Sequence, residues 1–196
     1  MFSNYQEAIG QFSGPAVLVI GDIVLDSYLK GTGTRLSPEA PVPVIRVESR
    51  TDVAGGGGNI AVNLSALGAK VACLSVTGHD EGGLKAAAIL EQHGVDCTGV
   101  FREPDRRTMV KSRILSQGQI LSRFDDGSED PVPAHTEDLL IRFLLDAYDR
   151  FDIIMLGDYY RGVITDRVIG TLAALQQQSP KFLAVDSFFI FLMVQF

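Results

Sequence analysis

Four consecutive glycines, Gly55 to Gly58, precede Asn59 and a helical pattern in the stretch AGGGGNIAVNLSALG (54–68). Backbone without a Cβ lets a ligand come close to the main chain. The first-turn amides of the following helix lack intrahelical acceptors, so they are donors for sugar hydroxyls or anionic oxygens. A plain glycine turn is the other reading of the same run. Two carboxylates, Asp22 and Asp26, follow the apolar run Ala16 to Ile20, at the strand end where open α/β sheets hold their ligands. Asp158 follows another such run, with helix capping as its competing role. A dinucleotide fingerprint would need GxGxxG directly after the first strand, and that position reads GDIVLD. A Walker loop is excluded because no glycine is followed by lysine. His79, His93 and His135 are scattered, without metal-ligand spacing or a serine or cysteine partner motif, and are assigned surface or capping roles.

The elements that must position these groups follow from periodicity. Ala16 to Ile20, Val71 to Val76, Ile153 to Leu156 and Phe182 to Val185 are short apolar runs, predicted as strands buried on both faces of a parallel sheet. Asn59 to Leu67, Leu84 to His93, Glu137 to Tyr148 and Thr165 to Gln177 have the spaced apolar positions of amphipathic helices. The alternation predicts an α/β layered domain. Two stretches leave that rhythm. Pro38, Pro41 and Pro43 exclude a helix from Leu36 to Glu48, and Val42, Val44, Ile45 and Val47 favour extended chain. Met109 to Phe124 alternates charged and apolar residues around Gln117 and Gly118, the pattern of a two-stranded ribbon with a tight turn. Both are expected to leave the main sheet as a small β-flap, with Lys111 and Arg113 on one face of the ribbon. Gly127 to Ala134 reads as a loop leading into a helix capped near Thr136.

Seventeen basic and 24 acidic residues among 196 give a net charge of −7, which disfavours general nucleic-acid binding. With 46% hydrophobic and 21% charged residues, collagen, low-complexity and coiled-coil architectures are excluded, and one sizeable domain fits the length. Cys73 and Cys97 lack CxxC spacing and fall in apolar runs, so both are read as reduced, buried thiols. No lysine or arginine precedes Lys30, and the longest uncharged apolar stretch, Phe188 to Val194, is too short to span a bilayer. A cytoplasmic protein with neither membrane nor nucleic-acid partners is the expectation.

Gly55, Gly56, Asn59 and the small-residue helix after them resemble the first-half signature of the ribokinase-like, or PfkB, carbohydrate kinases. The text Arg35-Leu36-Ser37-Pro38-Glu39-Ala40-Pro41-Val42-Pro43-Val44 is similar to the heptose 7-phosphate kinase domain of the bacterial ADP-heptose synthesis enzymes. Similarity continues through Thr77-Gly78-His79-Asp80, the ribbon at Lys111 to Asp125, and Gly157-Asp158-Tyr159-Tyr160-Arg161-Gly162, covering residues 15–187. The resemblance implies a Rossmann-like, ribokinase-type three-layer α/β sandwich with a β-flap as lid, its segments near 26–50 and 109–125. Residues 1–14 then form an N-terminal tail and 188–196 a divergent apolar one.

The implied activity is ATP-dependent phosphorylation of D-glycero-β-D-manno-heptose 7-phosphate at its anomeric hydroxyl, with ATP and Mg2+ as the family's cofactors. Asp26 matches the family's sugar-hydroxyl acceptor, beside Gly55, Gly56 and Asn59. Lys111, Arg113 and Arg123, with Arg35 upstream and Arg161 downstream, supply positive charge for the sugar's phosphate, a solvated basic strand edge being the competing reading. Asp158 and Arg161 fall in the family's Asp-Tyr-x-Lys-Gly motif near the phosphate and nucleotide, where arginine replaces lysine and a fork replaces a point charge.

The family's Gly-Ala-Gly-Asp motif, source of the catalytic base and the anion hole, does not occur in the chain. Nor does the Asn-x-x-Glu magnesium motif at its expected place. No catalytic base and no metal ligand is therefore assigned, and the nucleotide site is expected to be incomplete. The similarity ends at Asp186-Ser187 in FFIFLMVQF, which reads as a truncation or a frame change. Phosphoryl transfer depends on positioning and charge stabilisation, so little kinase activity is expected of these 196 residues alone. Homodimerisation through the flap or the tail would cover the exposed sheet edge. A non-catalytic sugar-phosphate-binding or dimerisation module is the alternative.

Overall fold

β1 (Ala16–Gly21) is apolar from Val17 to Ile20 and takes the centre of a five-stranded parallel sheet of order β5-β4-β1-β8-β9. The other strands are β4 (Lys70–Gly78), β5 (Asp96–Glu103), β8 (Ile153–Asp158) and β9 (Phe182–Ser187). The computed structural model describes residues 14–187. Residues 1–13 and 188–196, and with them the expectations for the two tails, lie outside the described residues.

Period-two alternation sends β1 side chains to two different cores. Leu18 and Ile20 join Leu74, Ile154 and Leu156 under α3 (Ala134–Ala147) and α4 (Asp166–Gln178), where Leu140, Leu144, Val168 and Leu172 are buried. Val17 and Val19 join Val71 and Cys73 under α1 (Gly57–Ala66) and α2 (Glu81–Gln92), through Ala61, Ala86 and Leu90. Each fully buried leucine or isoleucine of this kind contributes about 2 kcal/mol of transfer free energy. The result is the three-layer α/β sandwich expected from the sequence. Cys73 and Cys97 are free, and burial pushes both thiols up, Cys97 to about 11, which keeps them protonated.

The flap is a second sheet of order β3-β2-β6-β7, built from β2 (Ile23–Leu36), β3 (Pro43–Gly56), β6 (Val110–Ser116) and β7 (Gln119–Asp126). β2 runs antiparallel to β3 and parallel to β6. The ribbon turns at Gln117 (φ 51°) and Gly118 (φ 79°), the paired left-handed residues that a two-residue hairpin turn requires.

Three expectations need correction. β1 stops at Gly21, and after Asp22 alone the chain enters β2, so Asp26 belongs to the flap and not to the end of the first strand. The Gly31 and Gly33 interruptions that disguise β2 coincide with register shifts beside Lys30 and Gly33. β5 was not predicted, because Thr98 and Gly99 break its apolar run. Finally, α3 starts at Ala134 after Pro133, and Thr136 is not its cap but a buried hydroxyl bonded to Glu103. Among the described residues no helix is long and apolar enough to cross a membrane.

Candidate functional site

Asp26 stands on β2 between Val53 of β3 and Lys111 of β6. Its carboxylate occupies the space that a side chain on Gly55 would take, so the two predicted site residues are in contact. It pairs with Arg113 Nη1 at 2.5 Å, the two side chains being 19% and 18% exposed. The guanidinium also lies over the Tyr28 ring, 5.1 Å from its centroid, a cation–π arrangement that orients it.

The strand register then gathers the basic residues. Asp26, Lys111 and Asp125 lie abreast across β2, β6 and β7, as do Tyr28, Arg113 and Arg123, so Lys111, Arg113 and Arg123 share one face of the flap. Arg123 forks onto Asp125 through Nε (2.8 Å) and Nη2 (2.6 Å). Arg161 comes to the same place from the loop after β8: burial, then the charges of Arg161 and Arg123, hold Lys111 below the usual lysine range. Arg161 pairs with Glu129, and its Nε is buried without a hydrogen-bond partner. Four cations thus face Asp26, Asp125 and Glu129, a local positive excess in a chain of net charge −7. Among the described residues the Lys111 ammonium has neither a hydrogen bond nor an ion pair.

Arg35 is not part of this group. It is exposed near the end of β2, nine positions beyond Asp26 and about 30 Å further along an extended strand. Asn59 lies in the first turn of α1, exposed, with its Oδ1 accepting from Asn63 Nδ2 at 3.2 Å. It borders a groove of about 380 Å3 shared with Asp52, Val62 and His93, and no hydrogen bond joins it to Asp26.

The glycine run is explained by packing rather than by an open cradle. A Cβ on Gly56 would stand 2.5 Å from the Asp22 carbonyl oxygen and 3.3 Å from the Tyr159 ring. One on Gly58 would stand 3.2 Å from Ala54 and 3.6 Å from Leu90. The Gly57 N–H donates to Asp22 O at 2.8 Å. Bare backbone is required here because α1, β2 and the loop after β8 converge at Asp22.

Asp22 itself is 1% exposed and serves the protein rather than a ligand. It accepts from the main-chain N–H groups of Tyr159 (2.8 Å), Arg161 (3.1 Å) and Val163 (3.1 Å). Burial raises its pKa, and those three hydrogen bonds oppose the rise. Asp158 accepts from Tyr160 N–H at 3.1 Å and faces Ser187 Oγ at 3.4 Å, while Thr165, not Asp158, caps α4. Arg106, which sequence reasoning passed over, is 8% exposed and donates to the carbonyls of Asp130 (2.9 Å) and Arg161.

A family model described as pfkB family carbohydrate kinase matches residues 15–165. The chain belongs to the PfkB family. The Bifunctional protein HldE of Geobacter metallireducens is 40% identical over 169 residues, 86% of this chain and 34% of that protein. The Helicobacter pylori protein of the same description is 37% identical over 170 residues, 87% of this chain and 37% of its own length. The chain therefore spans about a third of the curated relatives it matches. Among solved structures, a carbohydrate kinase from Agrobacterium tumefaciens superposes with a TM-score of 0.64 at 26% identity, over 88% of this chain and 53% of that one. Arabidopsis thaliana ribokinase, complexed with ribose and ATP, has a TM-score of 0.61 over 89% of this chain and 53% of its own; at 18% identity it speaks to the fold alone. PfkB members are phosphotransferases, and the ribokinase-type fold is common to these structures and this chain.

Among the described residues no group of three or more His, Cys, Asp or Glu side chains is placed to hold a metal ion. The concave row of main-chain amides from Tyr159 to Val163, shaped to receive an anion, is filled by the Asp22 carboxylate.

Proposed function

We propose that the chain forms the sugar-phosphate side of a PfkB kinase acting on D-glycero-β-D-manno-heptose 7-phosphate. The complete reaction would convert that sugar's anomeric hydroxyl into a phosphate ester, giving the 1,7-bisphosphate. In this reading Asp26, already oriented by Arg113, accepts a hydrogen bond from a sugar hydroxyl. Lys111, Arg123 and Arg161 surround the 7-phosphate, whose two negative charges offset the positive excess. Gly55 keeps the Asp26 carboxylate close to the main chain, and Gly56 and Asn59 complete the turn into α1. Asp158 stands at the crest of the main sheet, on the side from which the phosphoryl group would come. Arg35 has no direct role.

The observation that carries the reading is the Lys111 ammonium on the charged flap face, which has no ion pair among the described residues, next to the Arg161 Nε, which has no hydrogen-bond partner among them. Burial first, and then the neighbouring guanidinium charges, depress this lysine, and an incoming anion stabilises its charged form. A second reading for these residues is a sugar-phosphate-binding or dimerisation module without turnover. The opposite flap face carries Phe124, 51% exposed, and so offers apolar surface for pairing with a second copy. A cytoplasmic location fits substrates of this class.

The test is calorimetric titration of the full chain with heptose 7-phosphate, comparing the parent with Asp26→Ala. A loss of about tenfold or more in the variant is expected, the usual size for a charge-assisted hydrogen bond. Equal affinities would remove Asp26 from the pocket, and no binding by the parent would remove the reading. Turnover with ATP and Mg2+ separates the kinase from the binding module.

A further inference from the structure

The loop from Tyr159 to Val163 has an unusual backbone with an unusual occupant. Tyr160 (φ 59°) and Gly162 (φ 78°) are both left-handed, and the N–H groups of Tyr159, Arg161 and Val163 between and around them turn toward one point. Main-chain amides converging this way form a nest, an anion-binding concavity, here built from alternate residues because the Tyr160 N–H donates to Asp158 instead. In this chain the anion is internal: Asp22, 1% exposed, supplies both carboxylate oxygens. A left-handed conformation is unfavourable for a residue with a Cβ, and at Tyr160 the three charge-assisted hydrogen bonds offset that strain.

Arg106 holds the loop from the other side. Its Nη1 donates to Asp130 O at 2.9 Å and its Nη2 to Arg161 O. The Gly162 carbonyl in turn accepts from Val132 N–H at 2.9 Å. The two peptide planes flanking the Arg161 Cα are therefore fixed, one through the N–H by Asp22 and one through the C=O by Arg106. The Arg161 guanidinium, 17% exposed and paired with Glu129, stands near Lys111 and the flap.

We infer that Asp22 and Arg106 are positioning residues for Arg161: the self-filled nest sets where its guanidinium meets the phosphate of a phosphorylated sugar. The role deepens the sugar-phosphate reading and rests on it. It gives Asp22 a function its burial would otherwise deny, because the carboxylate acts through the loop and never touches the ligand. It also predicts that the pair governs the preference for a phosphorylated over an unphosphorylated sugar, and not affinity for the sugar ring, which depends on Asp26.

The experiment titrates the full chain and its Asp22→Gly variant with heptose 7-phosphate and with unphosphorylated heptose, each with and without sodium formate. In Asp22→Gly the affinity for the phosphorylated sugar falls about tenfold or more while that for the unphosphorylated sugar is unchanged, as expected for one misplaced charge-assisted contact. Formate, a carboxylate able to enter the vacated nest, restores most of the loss in the variant and leaves the parent unaffected. Equal losses for both sugars without formate rescue, or no loss at all, would overturn the inference. A parent that binds neither sugar would remove the functional reading and this role with it, a different result from a parent that binds and a variant that binds equally. Should Asp22→Gly fail to fold, Arg106→Lys, which keeps the charge and loses the fork, decides the matter by the ratio of the two affinities: a ratio that falls supports the role, and an unchanged ratio overturns it.

Discussion

The Asp26–Arg113 pair can be weighed by a double-mutant cycle of Asp26→Asn and Arg113→Met. The contact is 2.5 Å and the side chains are 19% and 18% exposed, so the pair is neither a free surface bridge nor fully dry. Charge centres about 4 Å apart attract by about 4 kcal/mol at an effective dielectric of about 20. Desolvation of the two ions offsets much of that, leaving a net coupling of about 1–2 kcal/mol. Each single variant strands one charge among neighbours that give it little water, and a loss of about 2 kcal/mol is expected, somewhat less than for a fully buried pair. The double variant removes both charges and should be more stable than the sum of the two losses predicts. Urea unfolding of the full chain, followed by far-ultraviolet circular dichroism, gives the four free energies. A coupling within about 0.3 kcal/mol of zero would refute the reasoning, since the two groups would then be solvated independently and Arg113 would not be what orients Asp26.

Two glycines separate packing from propensity: Gly56→Ala forces a Cβ to 2.5 Å from Asp22 O at φ 57°, whereas Gly170→Ala on α4 meets nothing within 4 Å. Urea midpoints should fall for the first, by about 2–4 kcal/mol in stability, and rise for the second by about 0.5–1 kcal/mol; similar values for both would contradict the convergence at Asp22. Lys111 makes binding depend on pH: its pKa is held low by burial and by Arg161 and Arg123, and a bound phosphate dianion raises it again. Affinity for heptose 7-phosphate should therefore fall as pH rises through the depressed pKa, with proton uptake on binding in that window. Calorimetry in buffers of different ionisation enthalpy should detect the uptake in the parent and not in Lys111→Met.

The alternation of apolar runs and helical periods carries the three-layer sandwich, because most elements that build it have a one-dimensional signature. β1, β4 and β8 are apolar runs held inside the sheet, whereas β9, expected to be buried on both faces, is an edge strand with Phe182 69% and Val185 41% exposed. β5 escaped because an edge strand covered on one side tolerates Thr98 and Gly99. β2 escaped for a different reason: its outer half, KGTGTR, carries turn-forming composition that pairing with β3 overrides. The period of two correctly joined Lys111 to Arg113, a local property, and the register across β7 added Arg123. The role of Asp22 was not legible at all, since its three donors lie 137 to 141 positions later in the chain. Arg35 is expected in the site for its positive charge, and the length of β2 places it about 30 Å from Asp26.

The four-glycine run shows why sequence leaves such a site half-defined. A missing Cβ permits close approach of a ligand and of another piece of backbone equally well, and only tertiary contacts decide between them. Here Gly56 and Gly57 are pressed on Asp22 and Gly55 on Asp26, so the chemistry moves from the glycine backbone to the side chain that Gly55 admits. That displacement has a mechanical consequence. Asp26, Lys111, Arg113 and Arg123 ride on the flap, whereas Arg161 rides on the main sheet, so a phosphate bound among them ties one sheet to the other. The connection is short on the protein side as well: Asp22 is the sole residue between β1 and β2, and it anchors the Arg161 loop with its carboxylate and α1 with its carbonyl. The main chain of this one residue therefore sets the origin of the flap while its carboxylate sets the place of the opposing cation, which is why the charged face can be assembled from strands that share no core with the loop they meet.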